Sequence, residues 1–404
     1  MRRWTKSSAE ICAPICLAIL LAAVMVYPLF LETDNADIED FLVPWYDYIL
    51  LHGRFAAFAD NFSNYTPPYL YLLSIGTLAD GWLTPLVTIK LLAIAGSVFL
   101  VCCSHVLLRQ FMRPWPALVA ALLILLLPSV VINSVVWGQC DALYTGFIIL
   151  AVAFALQRRD LLAAAMFGAA IAFKLQAVFV APFGLFLLLS RVIRPWSLIF
   201  SFAAWCLLML PAWIAGRPMM DLVRIYLEQA DYYQSLSLNA PNIWTYLDYF
   251  GLQPNDTATI FGIAVAALVV LAIAIIADIR KMTSRFDLLL IALLSSLAVP
   301  YILPRMHERY FFMADILSVL LACSFLSVPT VVVALLIGLG SLLASMGFLL
   351  GFSTGPAIGG LFVTVALILV ALWFIVRAFP QSARWIPAAW CPSDIEGAQS
   401  PTGA

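Results

Sequence analysis

LETDNADIEDFLVPWYDYILLHGRFAAFADNFSNYTPPYLYLL, residues 31–73, is the first long polar interruption in an otherwise apolar chain. It follows the first strongly apolar run and concentrates acidic residues near its start. Carboxylates clustered where a chain leaves a bilayer either solvate a loop or form an acid–base or metal site. Six of the 22 Asp and Glu residues of the chain lie within positions 32–47: Glu32, Asp34, Asp37, Glu39, Asp40 and Asp47.

The composition of the chain is that of a membrane protein. Of its 404 residues, 64% are hydrophobic and 11% are charged, whereas a soluble domain has about 25% charged residues. This composition predicts an all-α, polytopic bundle of membrane helices. The net charge of −1 gives no indication of a nucleic-acid partner.

Apolar runs recur along the chain and predict about 12 transmembrane helices, since a span needs roughly 17–25 residues. Several runs are shorter, so they extend into their flanks or form broken helices that line a cavity. The first run has no small-residue cleavage site after it and is expected to be a retained span. The predicted spans are 11–31 and the runs near 84–108, 116–135, 143–156, 161–173, 175–189, 196–215, 259–278, 286–303, 313–328, 330–350 and 357–379.

These spans predict one transmembrane domain over residues 1–379, followed by a cytoplasmic tail over 380–404. The loop 216–258 is rich in aromatic residues, which suit a short amphipathic helix at the outer membrane surface.

The basic residues of the short loops set the orientation, because Lys and Arg favour the cytoplasmic side. A cytoplasmic N-terminus puts Arg or Lys at every cytoplasmic turn and leaves the C-terminus cytoplasmic as well. The remaining polar segments, 32–67, 137–141, 216–258 and 305–309, then fall together on the outer face. We therefore expect a multi-pass protein of the inner (cell) membrane whose active site faces the periplasm.

The acids of the first outer loop are candidates for a general base towards a hydroxyl acceptor. The alternative is that they only solvate the loop. Convergence of other polar segments on the same face favours a working site.

Two further segments place polar groups beside apolar runs. Trp137, Gln139 and Asp141 form either a polar turn with an interfacial indole or a cavity wall that holds a sugar. Lys174 and Gln176 interrupt the apolar segment 169–189. A lysine within a span costs about 2.5–3.5 kcal/mol, so Lys174 either snorkels or faces a phosphate or carboxylate partner in a cavity.

The segment 304–312 carries four ionisable side chains within five residues: Arg305, His307, Glu308 and Arg309. Arginine binds phosphate oxygens with two parallel hydrogen bonds. A solvated outer turn is the alternative. Because cations on the outer face oppose the usual charge bias, a phosphate-binding role is favoured.

These residues together carry a family resemblance. In order they are Asp37-Ile-x-x-Phe41, Trp45, Gly53, Asn64-Tyr65-x-Pro-Pro-Tyr69, Trp137-Gly138-Gln139-x-Asp141, Phe173-Lys174-x-Gln176 and His307-Glu308-Arg309-Tyr310. The set, over about residues 11–330, resembles the polytopic GT-C glycosyltransferases. The chain looks most like the bacterial group similar to the GPI and dolichol-linked mannosyl- and glucosyltransferases. His-Glu-Arg resembles the His-Glu-Lys segment of the eukaryotic glucosyltransferases of the endoplasmic reticulum.

The resemblance implies inverting transfer of a mannose- or glucose-like hexose from a polyprenyl-phosphate sugar to a glycan, lipid or cell-envelope acceptor. Asp37 matches the position of the family base. Because Trp45 lies one residue later than in the family pattern, Asp40 and Asp34 remain rival candidates for the base. Arg305, His307, Arg309 and Lys174 would bind the donor phosphate. No cofactor is implied, although some relatives use a divalent metal; a DxD triplet is absent from this loop. The sugar and acceptor would meet Glu308, Tyr65, Trp137, Gln139, Asp141 and Gln176.

Two other functions fit a chain with intramembrane charges. A transporter or flippase of a lipid-linked sugar would commonly show repeated halves, and no repeat is visible here. A non-catalytic partner in polysaccharide assembly would tolerate loss of the outer acids. Ligases and polymerases of O-antigen depend on larger outer loops with Arg and His, whereas the loop after the first span here carries acids.

Overall fold

A computed structural model describes residues 2–232, 234–385 and 390. The chain forms two compact units. The first unit comprises Met1–Ala153, Leu161–Ala177 and Trp196–Tyr232. The second comprises Phe154–Asp160, Val178–Pro195 and Tyr233–Ala404.

Helices make up most of the described residues. The α-helices are α1 (Arg2–Val26), α2 (Val43–His52), α3 (Pro67–Gly76), α4 (Pro85–Leu108), α5 (Pro114–Leu123), α6 (Pro128–Val131), α7 (Asp141–Leu156), α8 (Asp160–Phe173), α9 (Ala181–Leu189), α10 (Leu198–Ala215), α11 (Met219–Asp231), α12 (Ile243–Tyr249), α13 (Asp256–Ile279), α14 (Arg285–Ile302), α15 (Phe312–Ser324), α16 (Val328–Leu350) and α17 (Gly355–Ala378). Short 3-10 helices occupy Tyr27–Phe30, Ala56–Ala59, Thr77–Ala79, Ile124–Leu126, Leu175–Val180, Pro195–Ser197, Glu308–Phe311 and Pro380–Trp385. Two π-helical turns, Ile38–Leu42 and Ile132–Val136, and two parallel strands, β1 (Ser237–Leu238) and β2 (Met306–His307), complete the fold.

Within the described residues, seven helices are long and apolar enough to cross a membrane. An eighth candidate is a bent pair, and three further apolar helices are shorter, at Asp141–Leu156, Asp160–Phe173 and Leu175–Leu189. The protein is therefore a multi-pass membrane protein, and the predicted all-α helix bundle is confirmed. The predicted number of about 12 spans stays unconfirmed. The seven helices are Ser8–Phe30, Pro85–Leu108, Pro195–Ala215, Asp256–Ile279, Arg285–Ile302, Val328–Leu350 and Gly355–Ala378.

In the first unit, the apolar run predicted as a span near 116–135 is broken. Pro114–Leu126 and Pro128–Val136 meet at an angle of 56°. Pro128 explains the break, because proline disfavours helical geometry in the residue before it, and Leu127 is extended with ψ of 131°. The second segment ends in a π-helical turn directly before Trp137.

The first long polar interruption folds into short helices rather than an open loop. Ile38, Tyr46, Ile49 and Leu73 are completely or almost completely buried in one apolar core of the first unit. This core fixes the backbone on either side of the acidic cluster.

The aromatic loop predicted to contain an interfacial helix holds two helices, α11 in the first unit and α12 in the second. Leu222 and Ile225 of α11 are buried, whereas Met220, Val223 and Leu227 are exposed. The helix thus carries apolar side chains on its packed face and also on part of its exposed face.

In the second unit, α14 is the central helix, and 89% of its apolar stretch is buried. The hairpin of α16 and α17 packs through small residues, as membrane helices commonly do. A Cβ atom at Gly340 would lie 2.6 Å from Cγ2 of Val363, so glycine is needed for this approach.

Two arginines tie elements of the second unit together. Arg377 donates to both carboxylate oxygens of Asp287, at 2.7 and 3.1 Å. Arg194 donates to both oxygens of Asp160, at 2.5 and 3.2 Å. The predicted tail begins with the 3-10 helix Pro380–Trp385, and its residues 386–389 and 391–404 lie outside the described part of the chain.

Candidate functional site

Asp37 is the acid of the segment 32–47 whose side chain accepts hydrogen bonds from the segment 137–139. Its Oδ2 accepts hydrogen bonds from Nε1 of Trp137 and Nε2 of Gln139, both at 2.9 Å. Asp37 is half-buried, whereas Asp34 and Asp40 are exposed. The structure therefore brings the predicted base together with two residues of the predicted polar wall.

Gly138 makes this pairing possible. It adopts φ of +75°, a left-handed conformation that glycine reaches without steric cost. The turn lets Trp137 and Gln139 on either side of it donate to one carboxylate oxygen. A Cβ at Gly138 would lie 3.2 Å from side-chain atoms of both Ile38 and Ile89, so the site is also tightly packed.

Two residues that the sequence analysis did not identify fix the loop before Asp37. The side-chain amide of Asn35 donates to the carbonyls of Val136 and Trp137, at 3.2 and 3.4 Å. Lys90, on α4, is fully buried and donates to the carbonyl of Phe30 at 2.6 Å and to Oγ1 of Thr33 at 2.8 Å. The sequence signal that could have identified Lys90 is its charge, which lies inside the apolar run 84–108.

Tyr65 continues the network from Gln139 towards Lys174. The Tyr65 hydroxyl donates to Oε1 of Gln139 at 2.7 Å and accepts from Nζ of Lys174 at 3.4 Å. The Lys174 ammonium also lies 4.9 Å from the centre of the Tyr65 ring, within cation–π distance.

Lys174 has a carboxylate partner, which was one of the two partners expected. Nζ of Lys174 lies 2.5 Å from Oδ1 of Asp141, and both side chains are buried. Asn133, which the sequence analysis did not single out, donates from Nδ2 to the other Asp141 oxygen at 2.8 Å. Charge pairing and this hydrogen bond offset the cost of burying the carboxylate and the ammonium.

Two residues close in sequence to Lys174 and Asp141 have a buried polar atom without a hydrogen-bond partner in the protein. Oε1 of Gln176 and Oδ1 of Asn133 are buried and accept no hydrogen bond from the protein. Such groups need an explanation, and a bound hydroxyl-rich ligand or water would satisfy them. Burial also raises the pKa of the Tyr69 phenol well above its usual value, so this neighbour of Tyr65 stays protonated.

The second unit holds the other predicted set of ionisable residues. Glu308 is buried, and its Oε1 lies 3.7 Å from Nη1 of Arg309 and 3.9 Å from Nδ1 of His307. The His307 ring packs at 5.1 Å from the Tyr310 ring. Pairing of β1 with β2 fixes the backbone of His307 opposite Leu238.

Arg305 begins this turn in an unusual conformation. Its φ is +62°, a left-handed conformation that is uncommon for a residue with a side chain. The Arg305 amide donates to the carbonyl of Leu236 at 2.8 Å, and its guanidinium donates to Oε1 of Gln234 at 3.0 Å. These bonds hold the residue where the chain enters β2.

No group of three or more His, Cys, Asp or Glu side chains suited to a metal ion occurs among residues 2–232, 234–385 and 390.

Comparisons with known proteins give two similarities. The family model of glycosyltransferase family 87 matches residues 62–304. A solved structure, ArnT from Cupriavidus metallidurans bound to undecaprenyl phosphate, superimposes with a TM-score of 0.44 and 15% identity, covering 91% of this chain and 78% of that chain. A search of curated proteins gives no significant match.

Proposed function

Because the chain belongs to glycosyltransferase family 87, we propose that it transfers a mannose- or glucose-like hexose from a polyprenyl-phosphate sugar to a hydroxyl acceptor. Membership confirms the resemblance to glycosyltransferases that the ordered motifs indicated. The acceptor would be a glycan, a lipid or another cell-envelope component on the periplasmic face. The observation that carries the proposal is Asp37, a half-buried acid held by Trp137 and Gln139 at 2.9 Å.

In the proposed reaction, Asp37 is the general base. Its carboxylate takes the proton of the acceptor hydroxyl while the acceptor oxygen forms a bond to the anomeric carbon of the sugar. The bond between that carbon and the donor phosphate oxygen breaks, and the polyprenyl phosphate leaves with the electron pair. Attack opposite the leaving group inverts the anomeric configuration.

Cations would stabilise the charge that develops on the leaving phosphate. We assign this role to Arg305, His307 and Arg309, and two of them, His307 and Arg309, lie 3.9 and 3.7 Å from the buried Glu308. Lys174 is the fourth candidate, and its ammonium neutralises Asp141 in the structure.

Polar side chains would bind the hydroxyl groups of the sugar and acceptor. Gln176 is supported by its buried Oε1, which has no protein partner. The other proposed contacts are Tyr65, Trp137, Gln139, Asp141 and Glu308.

Membranes that contain the protein would test the proposed function. They would be incubated with radiolabelled polyprenyl-phosphate mannose or polyprenyl-phosphate glucose, and labelled glycan and lipid products would be separated. Transfer from one of these donors, and none from membranes without the protein, is expected. Movement of the lipid-linked sugar across the membrane without any transfer would overturn the proposal in favour of a transporter.

Arg309→Ala is expected to weaken use of the donor, because a planar guanidinium binds two phosphate oxygens at once. The measurement is the KM for the polyprenyl-phosphate sugar, which should rise about 10-fold or more, the loss expected from one charge-assisted contact. Arg309→Lys should also be impaired, since a point charge does not replace a planar fork. The matched control is Arg224→Ala, an exposed arginine on α11. Unchanged donor kinetics for Arg309→Ala would rule out its phosphate role.

The orientation has its own test. A reporter enzyme fused after Ala404 is expected to be active only in its cytoplasmic form, because Arg and Lys mark the short loops on that side. Periplasmic activity of the fusion would contradict the assignment of the outer face.

A further inference from the structure

A chain of hydrogen bonds in the first unit runs in one direction from a cation to the proposed base. Lys174 donates to the oxygen of Tyr65, Tyr65 donates to Oε1 of Gln139, and Gln139 donates from Nε2 to Asp37. The three bonds measure 3.4, 2.7 and 2.9 Å. They connect residues that lie far apart in sequence.

We infer that Tyr65 and Gln139 are positioning residues that set the orientation of the Asp37 carboxylate. The inference rests on the proposed function, in which Asp37 is the base. This role is separate from any contact that the two side chains make with a sugar.

The direction of the chain follows from what each group can donate. An ammonium only donates, so the Tyr65 oxygen accepts from Lys174 and the single phenolic proton goes to Gln139. That proton selects Oε1 of Gln139, which leaves Nε2 to face Asp37. A reversed amide would place its carbonyl oxygen against the carboxylate, which is repulsive. Lys174, through Tyr65, and the Asp37 carboxylate therefore favour the same orientation of the Gln139 amide from its two sides.

The surroundings strengthen this effect. Gln139 is 2% exposed and Lys174 is 5% exposed. Hydrogen bonds in such a low-dielectric setting are strong and polarise one another. Asp141 fixes the start of the chain by its 2.5 Å contact with Lys174.

The backbone around Gln139 supports the positioning role of its side chain. The backbone N–H of Gln139 donates to the backbone carbonyl of Asn133 at 2.8 Å. The backbone N–H of Gly138 donates to the backbone carbonyl of Ser134 at 2.7 Å. The main chain at Gln139 is thus fixed independently of its side chain. Loss of the Tyr65 hydroxyl should release the side-chain amide and leave the backbone in place.

A double-mutant cycle tests the inference with Tyr65→Phe, Gln139→Met and the double variant. Each single change is expected to lower kcat about 10- to 100-fold, as a misplaced catalytic group does, whereas the loss of a sugar contact alone would raise only the KM for polyprenyl-phosphate mannose or glucose. The double variant should lose no more than the worse single variant, because both changes interrupt one path. Gln139→Glu replaces the donor by an acceptor and should be slower than Gln139→Met.

Matched changes elsewhere serve as controls. Tyr48→Phe removes a phenol that donates to the exposed Asp60, and Gln110→Met removes an amide that donates to the carbonyl of Ala153. Both should keep the kcat of the unmodified protein. The inference would be overturned if the kcat losses of the two single variants multiplied in the double variant, or if KM rose while kcat stayed normal. Tyr65 and Gln139 would then be substrate contacts only.

A second measurement does not need turnover. The infrared carboxylate band that Asp37→Asn removes identifies Asp37 in a difference spectrum. Tyr65→Phe should shift this band, and Tyr48→Phe should not. An unmoved band would overturn the positioning role even if transfer were never detected, whereas a shifted band without transfer from any donor would count only against the proposed function.

Discussion

Asp37→Asn is expected to lower turnover about 10²–10⁴-fold, the usual contribution of a general base. Asparagine keeps the size of the side chain, and its carbonyl oxygen still accepts from Trp137 and Gln139. Folding and donor binding should therefore survive while proton transfer is lost. The measurement is kcat with a saturating polyprenyl-phosphate sugar, together with the KM for that donor and the thermal stability in detergent.

The other acids of the loop are the controls for Asp37. Asp34, Glu39 and Asp40 are exposed, so Asp34→Asn, Glu39→Gln and Asp40→Asn should each cost much less. Near-normal turnover of Asp37→Asn together with loss of transfer in Asp40→Asn would move the base to Asp40. Full activity of both variants would remove the chemical basis of the proposed reaction.

Lys174→Met is expected to destabilise the protein by about 3–5 kcal/mol, because it leaves the Asp141 carboxylate buried without its cation. Lys174 and Asp141 are among the most buried charged residues, with side chains 6% and 1% exposed. The free energy of unfolding in mixed micelles would report the loss, and the melting temperature should fall with it.

The double variant Lys174→Met with Asp141→Asn should recover most of that stability, since it removes both charges. The matched control is Lys281→Met, whose pair with Asp278 is exposed and should contribute little. A Lys174→Met protein as stable as the Lys281→Met protein would show that the buried charge has another partner or is neutral.

Much of the first-unit cluster could be predicted from the sequence because its members stand out against apolar surroundings. Asp37, Gln139 and Lys174 each interrupt or border an apolar run, and their side chains do meet in the structure. The sequence also allowed a carboxylate partner for Lys174. It could not identify Asp141 as that partner, because pairing depends on the tertiary placement of α7 and α8.

Other features could not be read from the sequence. Lys90 and Asn133 were missed because each lies in a long, mostly apolar run, where average hydropathy hides it. The break at Pro128 was counted within one span, since a bent pair of helices has the same composition as a straight one. The direction of the hydrogen bonds depends on which atom faces which, and composition does not contain that information.

The buried lysines also bear on how the protein is made. Lys90 donates to Phe30 and Thr33, and Lys174 contacts Tyr65 and Asp141, so each ammonium binds residues that precede it in the chain. The ribosome therefore synthesises every one of these acceptors before the lysine that needs it. When the translocon releases each of these helices into the lipid, the acceptors for its charge have already been translated.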